Sequence, residues 1–235
     1  MNLSPFGIKN TNIFIEKSFR NLLLAVVICY QRSISDNITF KKESDEKKKS
    51  KLENQIRNRL VDEYLEDPLL IEELGLFPYT FGAESAVIVE GKEKGLIDIK
   101  IYIYPISHAN KKSYFVFECK NLDGESALNS QYIQEGIHRF VNEKYPTTLG
   151  RNGMIGFMIK PTGIESNTQK INNLIDKTGT NAELVEVRNH TIENLKNYPI
   201  NPNFDFSYCS KHQTIMDKKP FELYHLMLDY SQNVV

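Results

Sequence analysis

Phe117-Glu118-Cys119-Lys120 carries the most chemical information in this chain. Side chains alternate along a β-strand, so Glu118 and Lys120 share one face, while Cys119 points to the other with Phe115 and Phe117. An acid and a lysine side by side at the end of an aromatic strand are unusual, because charges are rarely buried without partners. Upstream, Asp98 lies within an isoleucine-rich strand. Alternation predicts that Ile97, Ile99, Ile101 and Ile103 point one way and Leu96, Asp98, Lys100, Tyr102 and Tyr104 the other. If the two strands pair, Asp98 approaches Glu118 on the same face.

Elementary electrostatics says what such a cluster is for. Two close carboxylates raise each other's pKa unless a cation lies between them. Mg²⁺ is a hard cation that takes oxygen ligands, usually one or two carboxylates with water and substrate phosphate. Once bound, it polarises a phosphoryl oxygen and makes hydroxide available near neutral pH. A neighbouring lysine orients that water or stabilises the negative charge of the transition state.

Gly95-Leu96-Ile97-Asp98, a strand, a loop and Phe117-Glu118-Cys119-Lys120 together resemble the PD-(D/E)xK nuclease superfamily, which includes many restriction endonucleases and Holliday-junction resolvases. The resemblance covers about residues 50 to 160, with Ile97 where the family's name has proline. It implies a restriction-endonuclease-like core: helix, three-strand meander, helix, strand. It also implies Asp98 and Glu118 as metal ligands, Lys120 as the catalytic lysine, the Cys119 backbone carbonyl as a further ligand, and Mg²⁺ or Mn²⁺ as cofactor. Many members add a glutamate from the first core helix. Glu53 and Glu63 are available there and Glu84 lies just before the first strand, with Glu53-Asn54-Gln55-Ile56-Arg57 most like the family's pattern. Some members place a glutamine near the site from the following helix, whose polar side here offers Gln131, Gln134, His138 and Arg139. The implied substrate is DNA rather than RNA, and restriction or anti-phage defence is the expected setting.

The elements that must position these residues follow from periodicity. Ile15, Phe19, Leu22, Leu23, Val26, Val27 and Tyr30 predict a helix over 11–34. Residues 38–51 are charge-rich and read as a solvated linker or a basic arm. Leu52, Ile56, Leu60 and Tyr64 predict a second helix, ended by Asp67-Pro68. Gly75, Pro78 and Gly82 mark turns. Strands are expected at 86–90, 96–104 and 114–120, then a helix at 130–145 stopped by Pro146, and a central strand at 153–160. Beyond these we expect a helix at 168–176, strands at 183–187 and 204–209, and a terminal helix at 221–230. Short connections predict a meander for the first three strands, and a helical crossover leads to the fourth. The fold class is α/β with helical additions at both ends, divided into 1–50, an N-terminal helix and charged linker, and 51–235, the nuclease domain.

Composition fits this reading. The chain has 235 residues, enough for one sizeable domain, with 40% apolar and 25% charged residues, the balance of an ordinary folded protein. A net charge of −1 argues against binding nucleic acid through overall charge, but a nuclease needs basic residues along only one surface. Cys29, Cys119 and Cys209 form no CxxC pair, which points away from a disulfide framework and towards a reducing cytoplasm. The apolar run Leu22–Tyr30 falls short of the roughly 20 residues a bilayer needs, and its flanks do not suit a signal peptide. His108, His138, His190, His212 and His225 make no HxH or HxxxH pair, and there is no Gly-rich phosphate loop.

Cys119 as a nucleophile with His108 or His138 is set aside by its aromatic face. The polar segment Ser207–His212 reads as a loop, and Tyr224 and His225 as packing for the outer side of the domain. Two competing readings stand: a non-catalytic module binding nucleic acid or protein on the same fold, and a structural ion pair of Glu118 with Lys120 or Lys100. A double-strand cut favours a homodimer or an activating partner protein. The first helix is either that partner surface or a cover for the sheet.

Overall fold

The computed structural model describes residues 8–41, 49–89, 92–145, 147–177 and 180–235. Seven strands form one mixed sheet: β1 (Tyr79–Val89), β2 (Lys92–Ile103), β3 (Tyr114–Leu122), β4 (Arg151–Met158), β5 (Thr191–Asn197), β6 (Ser207–Gln213) and β7 (Pro220–Asp229). Their order across the sheet is β1-β2-β3-β4-β7-β6-β5. β1, β2 and β3 are the expected antiparallel meander, with Ala83 opposite Ile99 and Ile99 opposite Phe117. β4 runs parallel to β3, with Glu118 beside Met154, so the connection between them crosses over through helices.

Helices cover both faces. On one lie α1 (Ile8–Ser35) and α2 (Lys49–Leu60), the latter continuing through a π-helical turn, Val61–Leu65. The apolar stripe of α1 covers the sheet: Phe19, Leu22, Leu23, Val26 and Val27 are buried in one core with Ile99, Phe115, Phe117, Ile155 and Phe157. The four-residue stripe of α2 (Leu52, Ile56, Leu60, Tyr64) enters the same core. Each such side chain, fully buried, contributes about 1.5–3 kcal/mol, which is what holds α2 against β3.

The opposite face carries α5 (Ser126–Gln131), a π-helical turn (Tyr132–Ile137), α6 (His138–Val141), α7 (Ile164–Asp176) and α8 (Ala182–His190). Ile133, Ile137, Phe140 and Val141 pack there against Met154 and Met158. Two short helices join the elements: α3 (Pro68–Leu74) and α4 (Ile106–Ala109). Asp67-Pro68 both closes α2 and opens α3. The Asp67 carboxylate accepts from Leu69 N at 3.0 Å and Leu70 N at 2.9 Å, and Gly75 ends the helix at φ 64°.

Several expectations are corrected. Residues 221–230 form β7 rather than a helix. Leu223–Leu228 are buried, and β7 lies between β4 and β6. A short continuous apolar run suits a buried helix and a buried strand equally, and pairing on both sides decided it here. Tyr224 and His225 therefore sit in the middle of the sheet. Residues 183–187 belong to α8, started by Asn181, whose side chain accepts from Leu184 N at 3.0 Å. The polar segment from Ser207 is strand β6 rather than loop. β1 begins at Tyr79 and carries Gly82 inside it, and β2 begins at Lys92, within the expected polar turn. The helix expected over 130–145 runs from Ser126 to Val141. Part of the charged linker, 42–48, and the stop at Pro146 lie outside the described residues. Among the described residues no helix is long and apolar enough to cross a membrane.

Candidate functional site

The site lies where β2 parts from β3. The register between them ends at Ile99 and Phe117, and a further donor on β3, Cys119 N–H, is taken at 2.8 Å by the Asp98 carboxylate. Ile99, Ile101 and Ile103 belong to the core under α1, whereas Ile97 packs in the core of the opposite face. The expectation that all four isoleucines point one way fails there, because a twisting strand that leaves its neighbour no longer maps onto two flat faces.

β3 supplies Glu118 and Lys120 from the face opposite Phe117 and Cys119. Glu118 is wholly buried. It is held by Lys120 Nζ at 3.0 Å, by Arg139 of α6 and by the Tyr145 hydroxyl, which donates to Oε2. Lys120 Nζ also lies 3.1 Å from Glu53 Oε1 and 3.8 Å from Asp98 Oδ2, and donates to the Cys119 carbonyl at 2.7 Å. Three carboxylates from three elements thus converge on one ammonium.

α2 contributes through its four-residue spacing. Leu52 and Ile56 seat the helix on the sheet, and the next residue after each, Glu53 and Arg57, faces the site. Glu53 ties the helix to β3 by accepting from Asn121 N at 2.9 Å. Arg57, 1% exposed, reaches Asp98 Oδ1 at 3.0 Å and Glu84 Oε1 at 2.8 Å. Glu84 stands at φ 48°, a backbone conformation uncommon for residues other than glycine, within β1.

Burial and charge set the protonation states. Burial raises Glu118 to about 7, and the Asp98 charge adds to this, while Lys120, Arg139 and the Tyr145 hydroxyl pull it back. Burial likewise raises Glu53, against the pull of Lys120. Burial alone would lower Lys120, but the charges of Glu118, Glu53 and Asp98 outweigh it and keep the ammonium firmly protonated. The Cys119 thiol is pushed well up by burial and then by Asp98, so it is inert.

Of the residues singled out from the sequence, Asp98, Glu118, Lys120, the Cys119 carbonyl and Glu53 come together. Glu84 joins at one remove, through Arg57. Glu63 points away, pairing with Arg59 at 2.7 Å. Gln131 is exposed and Gln134 half-buried, and His138 bonds to Glu186 of α8 at 2.6 Å. Lys100 is not the partner of Glu118: its Nζ sits 4.9 Å and 4.2 Å from the ring centres of Tyr102 and Tyr114. Arg57 and Tyr145 carry roles that sequence reasoning did not assign. The four-residue offset from Glu53 could have flagged Arg57; nothing local flags Tyr145.

The oxygens around Lys120 Nζ are the hard donors that Mg²⁺ takes, three carboxylates and a backbone carbonyl. They are turned towards the ammonium and guanidinium groups. Among the described residues no three His, Cys, Asp or Glu side chains are arranged about one metal position.

A second polar cluster lies within the sheet, with only Thr191 of its members partly exposed. Thr191 Oγ1, His212, Ser210, His225 and the Tyr132 hydroxyl form a chain with steps of 3.1, 2.7, 2.8 and 2.8 Å. His212 is lowered to about 3 by burial, and His225 well below its usual value by burial and then by His212, so both are neutral. With Ser210, His212, His225 and Tyr132 wholly buried, the chain satisfies the polar groups of β6 and β7 within the sheet.

Compared with known proteins, the chain matches no family model, no curated protein and no solved structure.

Proposed function

We propose that this chain is a metal-dependent nuclease of restriction-endonuclease-like build, hydrolysing phosphodiester bonds in DNA. One observation carries the reading: Glu53, Asp98 and Glu118, from a helix and two strands, lie within 3.1, 3.8 and 3.0 Å of Lys120 Nζ. Helix, meander, helix, strand over α2 to β4 is the order that resemblance implies, and it supports the reading further.

Glu53, Asp98, Glu118 and the Cys119 carbonyl are the residues that would hold Mg²⁺ or Mn²⁺, which when bound supplies phosphoryl polarisation and a hydroxide near neutral pH. Lys120 provides a fixed positive charge for the oxygen that becomes negative in the transition state. Arg139, a quarter exposed, holds Glu118 and adds a second cation to the site. Arg57 and the Cys119 N–H fix both oxygens of Asp98.

A second reading draws on the same contacts. Each carboxylate is already engaged by Lys120, Arg57, Arg139, Tyr145 or a backbone N–H, as in a buried ionic cluster of a non-catalytic module. Thermal unfolding with Mg²⁺ or Mn²⁺, set beside DNA cleavage, separates the two. The nuclease reading expects stabilisation by the ion that Asp98→Asn abolishes, together with cleavage. No stabilisation and no cleavage would favour the non-catalytic cluster.

A further inference from the structure

We propose that the aromatic and basic face running from Asp98 along β2 to α4 binds single-stranded nucleic acid, with a base stacked on Tyr104 and phosphates met by Lys100 and Lys111. This rests on the nuclease reading only in naming the form of its substrate; the binding itself does not require cleavage.

Lys100 and Tyr102 follow Asp98 at every second position of β2, and Tyr104 stands in the turn just after the strand. At about 3.3 Å per residue they extend roughly 20 Å from the site. At the far end lies a cleft of about 450 Å³ lined by Thr80, Tyr102, Tyr104, Ser107, His108 and Lys111. Tyr104 is 68% exposed, and its ring stands 6.4 Å from the ring of His108, also an exposed residue. Thr80 lies opposite Tyr102 on β1, the edge strand, so the cleft opens at the border of the sheet.

Charge selects the ligand. From Ile99 to Phe117 the chain carries Lys100, Lys111, Lys112 and His108 and no carboxylate, in a protein of net charge −1. A locally basic strip with exposed rings suits a chain of phosphates bearing unpaired bases, because lysines track the backbone and aromatic faces stack on any base. In a duplex the base faces are already stacked, so Tyr104 would find nothing to cover.

The test is fluorescence anisotropy of labelled oligothymidylate, oligouridylate and a DNA hairpin duplex in EDTA, where metal-dependent cleavage is suppressed. Single strands should bind more tightly than the duplex. Tyr104→Ala should weaken that binding about ten-fold while Tyr104→Phe keeps it, and Lys111→Ala should flatten the salt dependence. The ratio of the two single strands tells DNA from RNA. Equal binding by Tyr104→Ala and the wild type, equal binding of duplex and single strand, or no binding at all would overturn the inference. Cleavage in Mg²⁺ is read separately, so such a failure is distinguishable from a failure of the nuclease reading.

Discussion

Glu118 and Lys120 form a buried ion pair at 3.0 Å, and the ammonium occupies the space among the carboxylates that a metal ion would need. Burial raises the Glu118 carboxyl to about 7 from 4.5, so between those values the folded chain holds a proton that the unfolded chain has released. Stability in EDTA should therefore fall as pH rises through that window, and Glu118→Gln, which does not titrate, should flatten the profile. Urea unfolding across the window reads this directly. Lys120→Met removes the ammonium from among three acids. Breaking a buried pair by removing one partner costs about 3–5 kcal/mol, so the variant should be strongly destabilised in EDTA. It should also gain more thermal stability from Mg²⁺ than the wild type gains, because its carboxylates have lost their competing cation. A variant as stable as the wild type in EDTA would contradict the convergence. Asp98, Glu118 and Lys120 were legible because period-two alternation depends only on local spacing, whereas Glu53 entered only through the family resemblance, with Glu63 and Glu84 left open beside it. Arg57 shares a helix face with Glu53 through its four-residue offset, but Tyr145 carried no local signal, because its partners Glu118 and Arg139 are brought to it only by how the segment after α6 approaches the sheet.

At the scale of elements, the fit of helices on β3 and β4 depends on absent side chains. A Cβ on Gly153 would come within 2.3 Å of the edge of the Phe117 ring, which is wholly buried and stacked on Phe19 at 5.7 Å. Gly153→Ala should cost at least about 1–3 kcal/mol in urea unfolding, since that ring has nowhere to move. A Cβ on Gly136 would instead meet the flexible sulfur end of Met154. Replacing glycine by alanine within a helix returns about 1 kcal/mol, so Gly136→Ala should be close to neutral. The reverse ranking would mean that the helix, rather than the ring, limits the packing. The helices with clear stripes and the strands with clear alternation were readable from sequence. β7 was not, because its apolar run has no period, and α8 was not, because Glu183-Leu184-Val185-Glu186-Val187 carries strand-forming valines in a stretch that Asn181 caps as a helix.

For the whole molecule, the sheet is completed by its last strand. β7 pairs with both β4 and β6, and the chain near its end is bridged to α1's exit through Phe40 and Val234. Truncation before Pro220 should therefore prevent folding rather than trim a terminus, and hydrogen exchange should find β7 protected as strongly as β3 and β4. Rapid exchange throughout β7 would contradict the topology. The same sheet holds β3, buried along its whole length, between β2 and β4, so the candidate site stands on a buried strand, with Asp98, Glu53 and Arg139 partly exposed around it. Cleavage of plasmid and linear DNA in Mg²⁺ or Mn²⁺, by the wild type beside Asp98→Ala and Lys120→Ala and with EDTA as control, tests the central claim most directly. Metal-dependent cutting by the wild type alone is the predicted result; equal cutting by all three proteins, or none by the wild type with any ion, would contradict it.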